Sequence, residues 1–311
     1  MIQHNLKIIF RYFLGQKVYT LTSLLILAIG LASSLLISLW VANELKSDKF
    51  HPNLERIYLV TGKKNPEVEK WNYFAYHCAN ILKENYPEIE EFASIAPLDE
   101  PQLSSDENHW FQMKGIATQQ GFLNILGFEL LKGDAGSALI DKNSILLTQE
   151  AATRLFGDED PMGKTVSVRH RKVLLFQVSG IFKDIRDNSS IKFDYLVPFE
   201  ATQWGRMDAE LVLISPGIDL AELNGKIKFT SRETRYSRND ESIIRLFPFS
   251  EVYFNSDFYP FLHGEKKYPQ ILVLIAIIIL IISVINYTSL ATARTVKRAK
   301  DIGINKVLGA V

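Results

Sequence analysis

The chain has 311 residues, of which 35 are basic, 35 acidic and 47% hydrophobic, so its formal net charge is zero. This balance lacks the basic excess typical of nucleic-acid-binding proteins, so nucleic acid is excluded as a partner. A single cysteine, Cys78, rules out an internal disulfide. Its simplest interpretation is a small buried hydrophobic residue.

Two long apolar stretches frame the rest of the chain. Residues 18–43 and 268–293 each contain no Lys, Arg, Asp or Glu. Because a helix needs about 20 apolar residues to cross a bilayer, both stretches are predicted to be transmembrane helices. The first is too long for the apolar core of a signal peptide, about 7–15 residues, so it is predicted to be an uncleaved anchor.

The charges at the two ends of the chain predict its orientation in the membrane. Residues 1–17 carry three basic residues and no acid, whereas 294–311 carry five basic residues and one acid, which leaves residues 18–293 at −7. Lys and Arg close to a span are retained on the cytoplasmic side. Both termini are therefore predicted to be cytoplasmic, with residues 44–267 on the far side of the membrane.

The helical segments carry two further patterns. Apolar residues at helical spacing in 5–16 predict an amphipathic helix over 1–17 that lies along the interface, although a continuation of the first span stays open. Within that span, Ala28 with Ala32 and Gly30 with Ser34 are small residues four positions apart. Such pairs allow another helix to approach closely.

Residues 44–267 read as a mixed α/β domain. Strands are predicted at 56–61, 110–118, 144–148, 165–169, 173–181, 211–215 and 243–247, with 165–169 and 173–181 paired as a hairpin. Helices are predicted at 75–86, 119–126 and 149–156, the last capped by Thr148 and ended by Gly157. The alternation favours βαβ-type units. The acidic run 87–91 reads as a solvated turn, and the polar stretch 201–242 as either an inserted subdomain or a loop.

No catalytic or cofactor site emerges from the sequence. Residues 157–165 resemble a phosphate-binding loop, but they have one residue too many between the glycines, a helix before and a strand after. The six histidines show no ligand spacing. We therefore expect no cofactor, no metal and no catalysis in this chain.

The segment that follows the second span has two interpretations. It begins with basic residues and continues with an apolar stripe of Ile304, Val307 and Leu308. A helix of this kind can dock into a groove of a partner protein. The same basic residues could equally serve only to stop transfer across the membrane.

Several stretches together resemble the MacB/FtsX-type permeases of ABC transporters, in particular their N-terminal portion in the Bacteroidetes branch. The most specific part is 286–294 followed by 297–310. Four other stretches agree in order along the chain: 5–12, 44–51 continuing to 56–58, 156–164, and 178–185 with Asn188 and Ser189.

The resemblance implies an α+β membrane protein in which two transmembrane helices flank a large mixed α/β periplasmic domain, the MacB-like periplasmic core. It implies a multi-pass inner-membrane permease that assembles as a dimer or pseudo-dimer with a separate ABC ATPase, with a periplasmic adaptor as a further candidate partner. Motion would pass from the ATPase to the periplasmic domain, for efflux of antimicrobial compounds or peptides or for lipoprotein extraction. Since such permeases have further spans, the chain is expected to be a fragment or a truncated reading frame. The residues implied to contact the ATPase lie in the coupling segment 294–311: Arg294, Lys297, Arg298, Ile302, Gly303, Lys306, Val307, Leu308 and Gly309.

Two other classes of protein share the two-span plan. A sensory receptor would continue after its second span into a long heptad helix, and Gly303 and Gly309 are expected to interrupt the helix too early for that. A membrane-anchored periplasmic enzyme would need a catalytic set, which the sequence does not offer.

Overall fold

The computed structural model describes residues 17–63, 78–98, 101–169, 172–201, 209–227, 243–255, 258 and 261–307. The amphipathic helix predicted over 1–17 lies outside this range except for Lys17. The chain forms two compact units, residues 1–45 with 266–311, and residues 46–265.

The described elements alternate irregularly between helix and strand. The α-helices are α1 (Lys17–Glu44), α2 (Ala79–Asn85), α3 (Gly121–Leu126), α4 (Gln149–Phe156), α5 (Leu220–Lys226) and α6 (Lys267–Val307). The strands are β1 (Ile57–Lys63), β2 (Ile89–Pro97), β3 (Gln102–Ser104), β4 (Phe111–Gln112), β5 (Gly115–Thr118), β6 (Leu130–Gly133), β7 (Ser144–Thr148), β8 (Thr165–Arg169), β9 (Val173–Phe182), β10 (Tyr195–Pro198), β11 (Ala209–Ile214) and β12 (Ile243–Pro248).

The first unit consists of α1 and α6, which pack against each other. Leu21–Glu44 and Lys267–Ala293 are long and apolar enough to cross a membrane. A Cβ on Gly30 would overlap the Ser283 hydroxyl, and the Ser34 hydroxyl donates to the Ala276 carbonyl oxygen at 3.1 Å. The predicted close approach at Gly30 and Ser34 is therefore confirmed. Ala28 and Ala32 are exposed and take no part in this packing.

The second unit is built on one mixed sheet, in the order β12-β1-β11-β2-β5-β10-β7-β9-β8-β3-β4 within the described residues, with β6 paired to β9. The long strand β2 joins its two halves, because Ile89–Ile95 pairs with β11 whereas Ala96 and Pro97 pair with β5. Side chains alternate between the faces, as the pleat requires. In β11, Leu211 and Leu213 enter one buried cluster and Val212 the opposite one.

Several predicted elements are confirmed. The Thr148 hydroxyl accepts a hydrogen bond from the Ala151 backbone N–H at 3.2 Å at the start of α4, and Gly157, with φ of 61°, ends that helix in a conformation that favours glycine. Strands β8 and β9 form the predicted antiparallel hairpin. Strands β7 and β9 are parallel with α4 between them, which is a βαβ-type unit. The predicted strand 110–118 is divided in two at Met113 and Lys114.

Two predictions for this domain hold only in part. Pro87 and Glu88 form the predicted turn, but Ile89 begins β2, an inner strand, because Ile89 is buried while the neighbouring carboxylates point outward to paired cations. Glu88 pairs with Lys226, Glu90 with Arg56 and Glu91 with Lys83. The stretch 201–242 is not an inserted subdomain or loop throughout, since β11 lies between β1 and β2 and α5 packs on β12. Residues 202–208 and 228–242 lie outside the described residues.

Candidate functional site

The coupling segment continues the second span without a break. Helix α6 passes through Arg294, Lys297, Arg298, Ile302, Gly303 and Lys306 to Val307, whereas Leu308 and Gly309 lie outside the described residues. At 1.5 Å per residue, its 41 residues form a rod of about 60 Å, twice the thickness of the hydrocarbon core.

The expected interruption at Gly303 is wrong. A glycine inside a helix costs only about 1 kcal/mol relative to alanine, and helix-forming neighbours offset that cost. No atom lies within 4 Å of a Cβ placed on Gly303, so its surface is open. The argument that a helix break disfavours a receptor therefore no longer holds at Gly303, whereas Gly309 lies outside the described residues.

Hydroxyl groups near the end of the apolar stretch are satisfied within α6 itself. Thr288, Thr292 and Thr295 donate to the carbonyl oxygens four residues earlier, at 2.8, 2.8 and 3.0 Å. Bonds of this kind let polar side chains remain in a membrane-spanning helix.

Three short segments of the sheet domain meet, the first of which follows α1 in the sequence. We call them the entry loop (46–51), the central loop (186–191) and the exit segment (261–264). The Asp48 backbone N–H donates to the Asn188 carbonyl oxygen at 2.9 Å. The Asn188 amide returns a bond to the Lys46 carbonyl oxygen at 3.2 Å. The Ser190 backbone N–H donates to Asp48 Oδ1 at 2.8 Å.

The exit segment is held by the same central loop. The Leu262 backbone N–H donates to the Ser190 carbonyl oxygen at 2.8 Å. The ring of Phe261 packs edge-on against Phe249, with 5.6 Å between centroids. Ser190 therefore bonds through its N–H to the segment after α1 and through its carbonyl to the segment before α6. We call this arrangement the Ser190 clasp.

A buried acid–base pair lies inside the Ser190 clasp. Asp48 and His51 are 1% and 4% exposed, and His51 Nε2 lies 3.8 Å from Asp48 Oδ1. His51 Nδ1 is 2.8 Å from the Leu126 carbonyl oxygen, which requires a proton on Nδ1. Burial raises the pKa of the Asp48 carboxyl and lowers the pKa of the His51 imidazole, because low polarity disfavours both charged forms.

The pair is also strained. Asp48 has a φ of 59°, a left-handed conformation uncommon outside glycine but tolerated by Asp and Asn. Asp48 Oδ2, His51 Nε2 and the Ser190 hydroxyl are buried without a hydrogen-bond partner in the described part of the chain. Strain and unsatisfied polar groups concentrate at functional sites, so the Ser190 clasp is a candidate functional site.

Sequence reasoning did not assign a role to these residues. The stretches 44–51 and 188–189 both carry the family resemblance, but nothing in their spacing indicates that they touch. The signal available in the sequence was the polar pair Asp48 and His51 at a three-residue spacing directly after a span.

Other candidate groups of the sequence are structural. Cys78 is fully buried, as predicted, and burial, followed by the charge of Glu210, raises the pKa of its thiol. In the loop that resembles a phosphate site, Lys164 pairs with Glu159. Among the described residues, no group of three or more His, Cys, Asp or Glu side chains is placed to hold a metal ion.

A mixed sheet domain inserted between two helices that can span a bilayer defines a membrane protein with one large domain outside the membrane. Residues 20–228 match the model of the MacB-like periplasmic core domain, and the chain belongs to this family. The resemblance to MacB-like permeases and the fold class predicted from the sequence are thereby confirmed.

One solved structure supports the fold, and a second is similar to a lesser degree. A domain of a proposed permease from Porphyromonas gingivalis is 21% identical, covers 72% of this chain and 99% of its own, and has a TM-score of 0.51. The periplasmic region of MacB from Actinobacillus actinomycetemcomitans is 14% identical over 64% of this chain and 91% of its own, with a TM-score of 0.45. Comparison with curated protein sequences gives no match.

The family match and the two spans together place the chain among the permease components of ABC-type transporters. MacB-like permeases work with ABC ATPase partners and are generally not catalytic themselves. The two candidate membrane helices and the periplasmic-type domain indicate a protein of the inner membrane.

Proposed function

We propose that this protein is the permease subunit of an ABC transporter and transmits motion from a separate cytoplasmic ATPase to its periplasmic domain. The observation that carries the proposal is the unbroken α6, which joins a membrane span to the segment 294–307 in a chain of the MacB-like family. Both termini are cytoplasmic in this proposal, in line with their basic flanks.

In this proposal, the cytoplasmic end of α6 receives the motion of the ATPase. Arg294, Lys297 and Arg298 anchor the helix at the lipid headgroups through phosphate contacts. Ile302, Gly303, Lys306, Val307, Leu308 and Gly309 contact the ATPase in this proposal. Because a continuous helix resists bending, a displacement at Val307 reaches the apolar part of α6.

The two spans share this displacement because they pack closely. Gly30 of α1 lies directly against Ser283 of α6, and Ser34 bonds to the backbone at Ala276. The chain then enters and leaves the sheet domain at segments that are both bonded to Ser190. The Ser190 clasp is the output point of the mechanism.

Membership of the family indicates only the general class of transported substrate. We propose efflux of antimicrobial compounds or peptides, or extraction of lipoproteins, by a permease dimer or pseudo-dimer, with a periplasmic adaptor where the route continues outward. A sensory receptor is the second candidate, because the uninterrupted helix after the second span also suits a signalling helix.

Affinity purification from membranes of the natural host, followed by mass spectrometry, tests the proposal. We expect co-purification of an ABC ATPase with the wild-type chain and its loss with Lys306→Glu. The matched control is Lys142→Glu, the same charge reversal at an exposed position of the sheet domain. Recovery of a histidine kinase without an ATPase would overturn the proposal in favour of the receptor. Equal recovery of the ATPase with Lys306→Glu would show that the contact lies elsewhere.

A further inference from the structure

A cavity of about 430 Å³ opens beside the Ser190 clasp in the sheet domain. Its floor is apolar and comes from the ends of β2 and β5, the residues next to them, and the exit segment. The rim carries three charged residues, Lys114, Lys192 and Asp194. The floor is formed mainly by Ile95, Leu98, Met113, Ile116 and Phe261.

The floor can accept an apolar molecule without rearrangement. Its side chains are buried, with exposures of 7% or less, and Ile95 and Ile116 belong to β2 and β5. The volume lies in the range of small-molecule sites, about 300–1,000 Å³, which are apolar with a few convergent polar groups.

The rim favours a negative charge. Burial is the main cause that lowers the pKa of Lys192. The Asp187 and Asp48 carboxylates oppose this shift, whereas the nearby Lys114 ammonium acts in the same direction as burial. Lys192 Nζ donates to the Arg186 carbonyl oxygen at 2.6 Å and lies 3.9 Å from Oδ1 of the fully exposed Asp187 carboxylate. Lys114 forms no ion pair with the described residues. The Asp194 carboxylate is held in place, because its Oδ2 accepts a hydrogen bond from the Lys114 backbone N–H at 2.6 Å.

We propose that this cavity binds an amphipathic anion, with its apolar body on the floor and its carboxylate, sulfonate or phosphate between Lys114 and Lys192. An anion there relieves the repulsion of the two ammonium groups, while burial of the apolar body contributes about 25 cal/mol per Å². This inference goes beyond the proposed function, since binding requires no ATPase.

The position of the cavity links its occupant to the Ser190 clasp. The cavity is lined by Ile191 of the central loop and by Phe261 of the exit segment. Phe261 directly precedes Leu262, which bonds to Ser190. A bound anion therefore touches both the central loop and the exit segment.

The test uses the full chain in lipid nanodiscs and a dodecanoate analogue that carries a photoreactive diazirine. We expect labelling of the peptide around Met113–Ile116, which excess dodecanoate suppresses and dodecyltrimethylammonium does not. The double variant Lys114→Gln/Lys192→Gln is expected to lose about tenfold in labelling, equivalent to the loss of about 1.4 kcal/mol of charge pairing. The control Lys142→Gln/Lys183→Gln removes two exposed lysines elsewhere in the sheet domain and retains labelling.

Three results would overturn the inference. Labelling confined to α1 and α6 would mean that the probe only partitions into lipid near the spans. Equal competition by the cationic amphiphile would exclude selection for an anion. Unchanged labelling in Lys114→Gln/Lys192→Gln would also exclude selection for an anion by these two lysines. Hydrogen exchange of β5 shows whether that variant keeps its fold.

Discussion

The Ser190 backbone N–H donates to the Asp48 carboxylate at 2.8 Å across 142 positions of sequence. The same residue accepts a bond from Leu262 through its carbonyl oxygen. One residue of the central loop thus connects the point where the chain enters the sheet domain with the point where it leaves. Ser190 therefore couples the two ends of the domain to each other.

Substitutions of Asp48 are expected to loosen the clasp in a defined order. Asp48→Asn keeps an acceptor and tolerates the positive φ, so its effect is small. Asp48→Gly loses the acceptor but not the backbone conformation, and we expect a loss of about 2 kcal/mol, typical of a buried bond to a charged group. Asp48→Ala adds about 1 kcal/mol of backbone strain.

Hydrogen exchange of the central loop in the full chain measures this order. A loss of about 2 kcal/mol accelerates exchange at Ser190 about 30-fold, because 1.4 kcal/mol is a factor of ten. Equal exchange in wild type and Asp48→Ala would show that the clasp contributes nothing to local stability.

Acidification is expected to destabilise the clasp through His51. Burial is the main cause that lowers the folded-state pKa of His51 below its usual 6.5, and the Arg186 charge acts in the same direction. The unfolded state therefore binds more protons as pH falls from 6.5 toward the folded pKa, so stability is lost there. The loss is at most about 1.4 kcal/mol per pH unit.

Asp48 acts with the opposite sign at lower pH. Its folded pKa is raised above 3.8, mainly by burial, so the native state gains stability as pH falls through that raised value.

Thermal unfolding between pH 7.5 and 5.5 measures the contribution of His51. We expect the acid-induced loss of stability to be smaller in His51→Gln than in wild type. A slope of stability against pH in His51→Gln that equals the wild-type slope would exclude His51 as the group that titrates.

The contact between the spans predicts a rescue experiment. Gly30→Ala places a methyl group on the Ser283 side chain, and overpacking of this kind costs about 1–3 kcal/mol. Removal of the Ser283 side chain in Gly30→Ala/Ser283→Gly should restore the packing. The readout is the yield of a disulfide between cysteines introduced at Ser34 and Ala276, which are adjacent in the structure. The exposed substitution Ala28→Leu serves as the control, and an unchanged yield in Gly30→Ala would contradict the close contact.

The sequence predicts the large features of this protein because they rest on strong, local signals. The two spans follow from uninterrupted apolar runs, and α4 follows from its cap at Thr148 and its stop at Gly157. The start of β2 was missed because Glu88, Glu90 and Glu91 mask a buried strand whose partners, Lys226 and Lys83 among them, lie elsewhere in the chain.

The candidate site was predictable only in part. The coupling segment is one continuous stretch of residues and is visible as such. The Ser190 clasp depends on pairings such as Asp48 with Ser190, which single-sequence periodicity does not report. At Gly303 the sequence predicts a helix break that the structure does not have, because the low helix propensity of glycine is overcome by its helical neighbours.

The open surface at Gly303 separates the stability of α6 from its contact with a partner. Gly303→Ala meets no atom within 4 Å and should stabilise the helix by about 1 kcal/mol. If an ATPase packs closely there, the added methyl group lowers transport-coupled ATP hydrolysis by about tenfold, a steric cost of about 1.4 kcal/mol. Gly225→Ala in α5, which also has no atom within 4 Å, should leave hydrolysis unchanged. ATPase assays on the reconstituted complex decide the outcome: full activity in Gly303→Ala together with loss in Gly303→Pro would support a role for the continuous helix α6 but exclude a close contact at Gly303. Full activity in both variants would refute the coupling role of this segment.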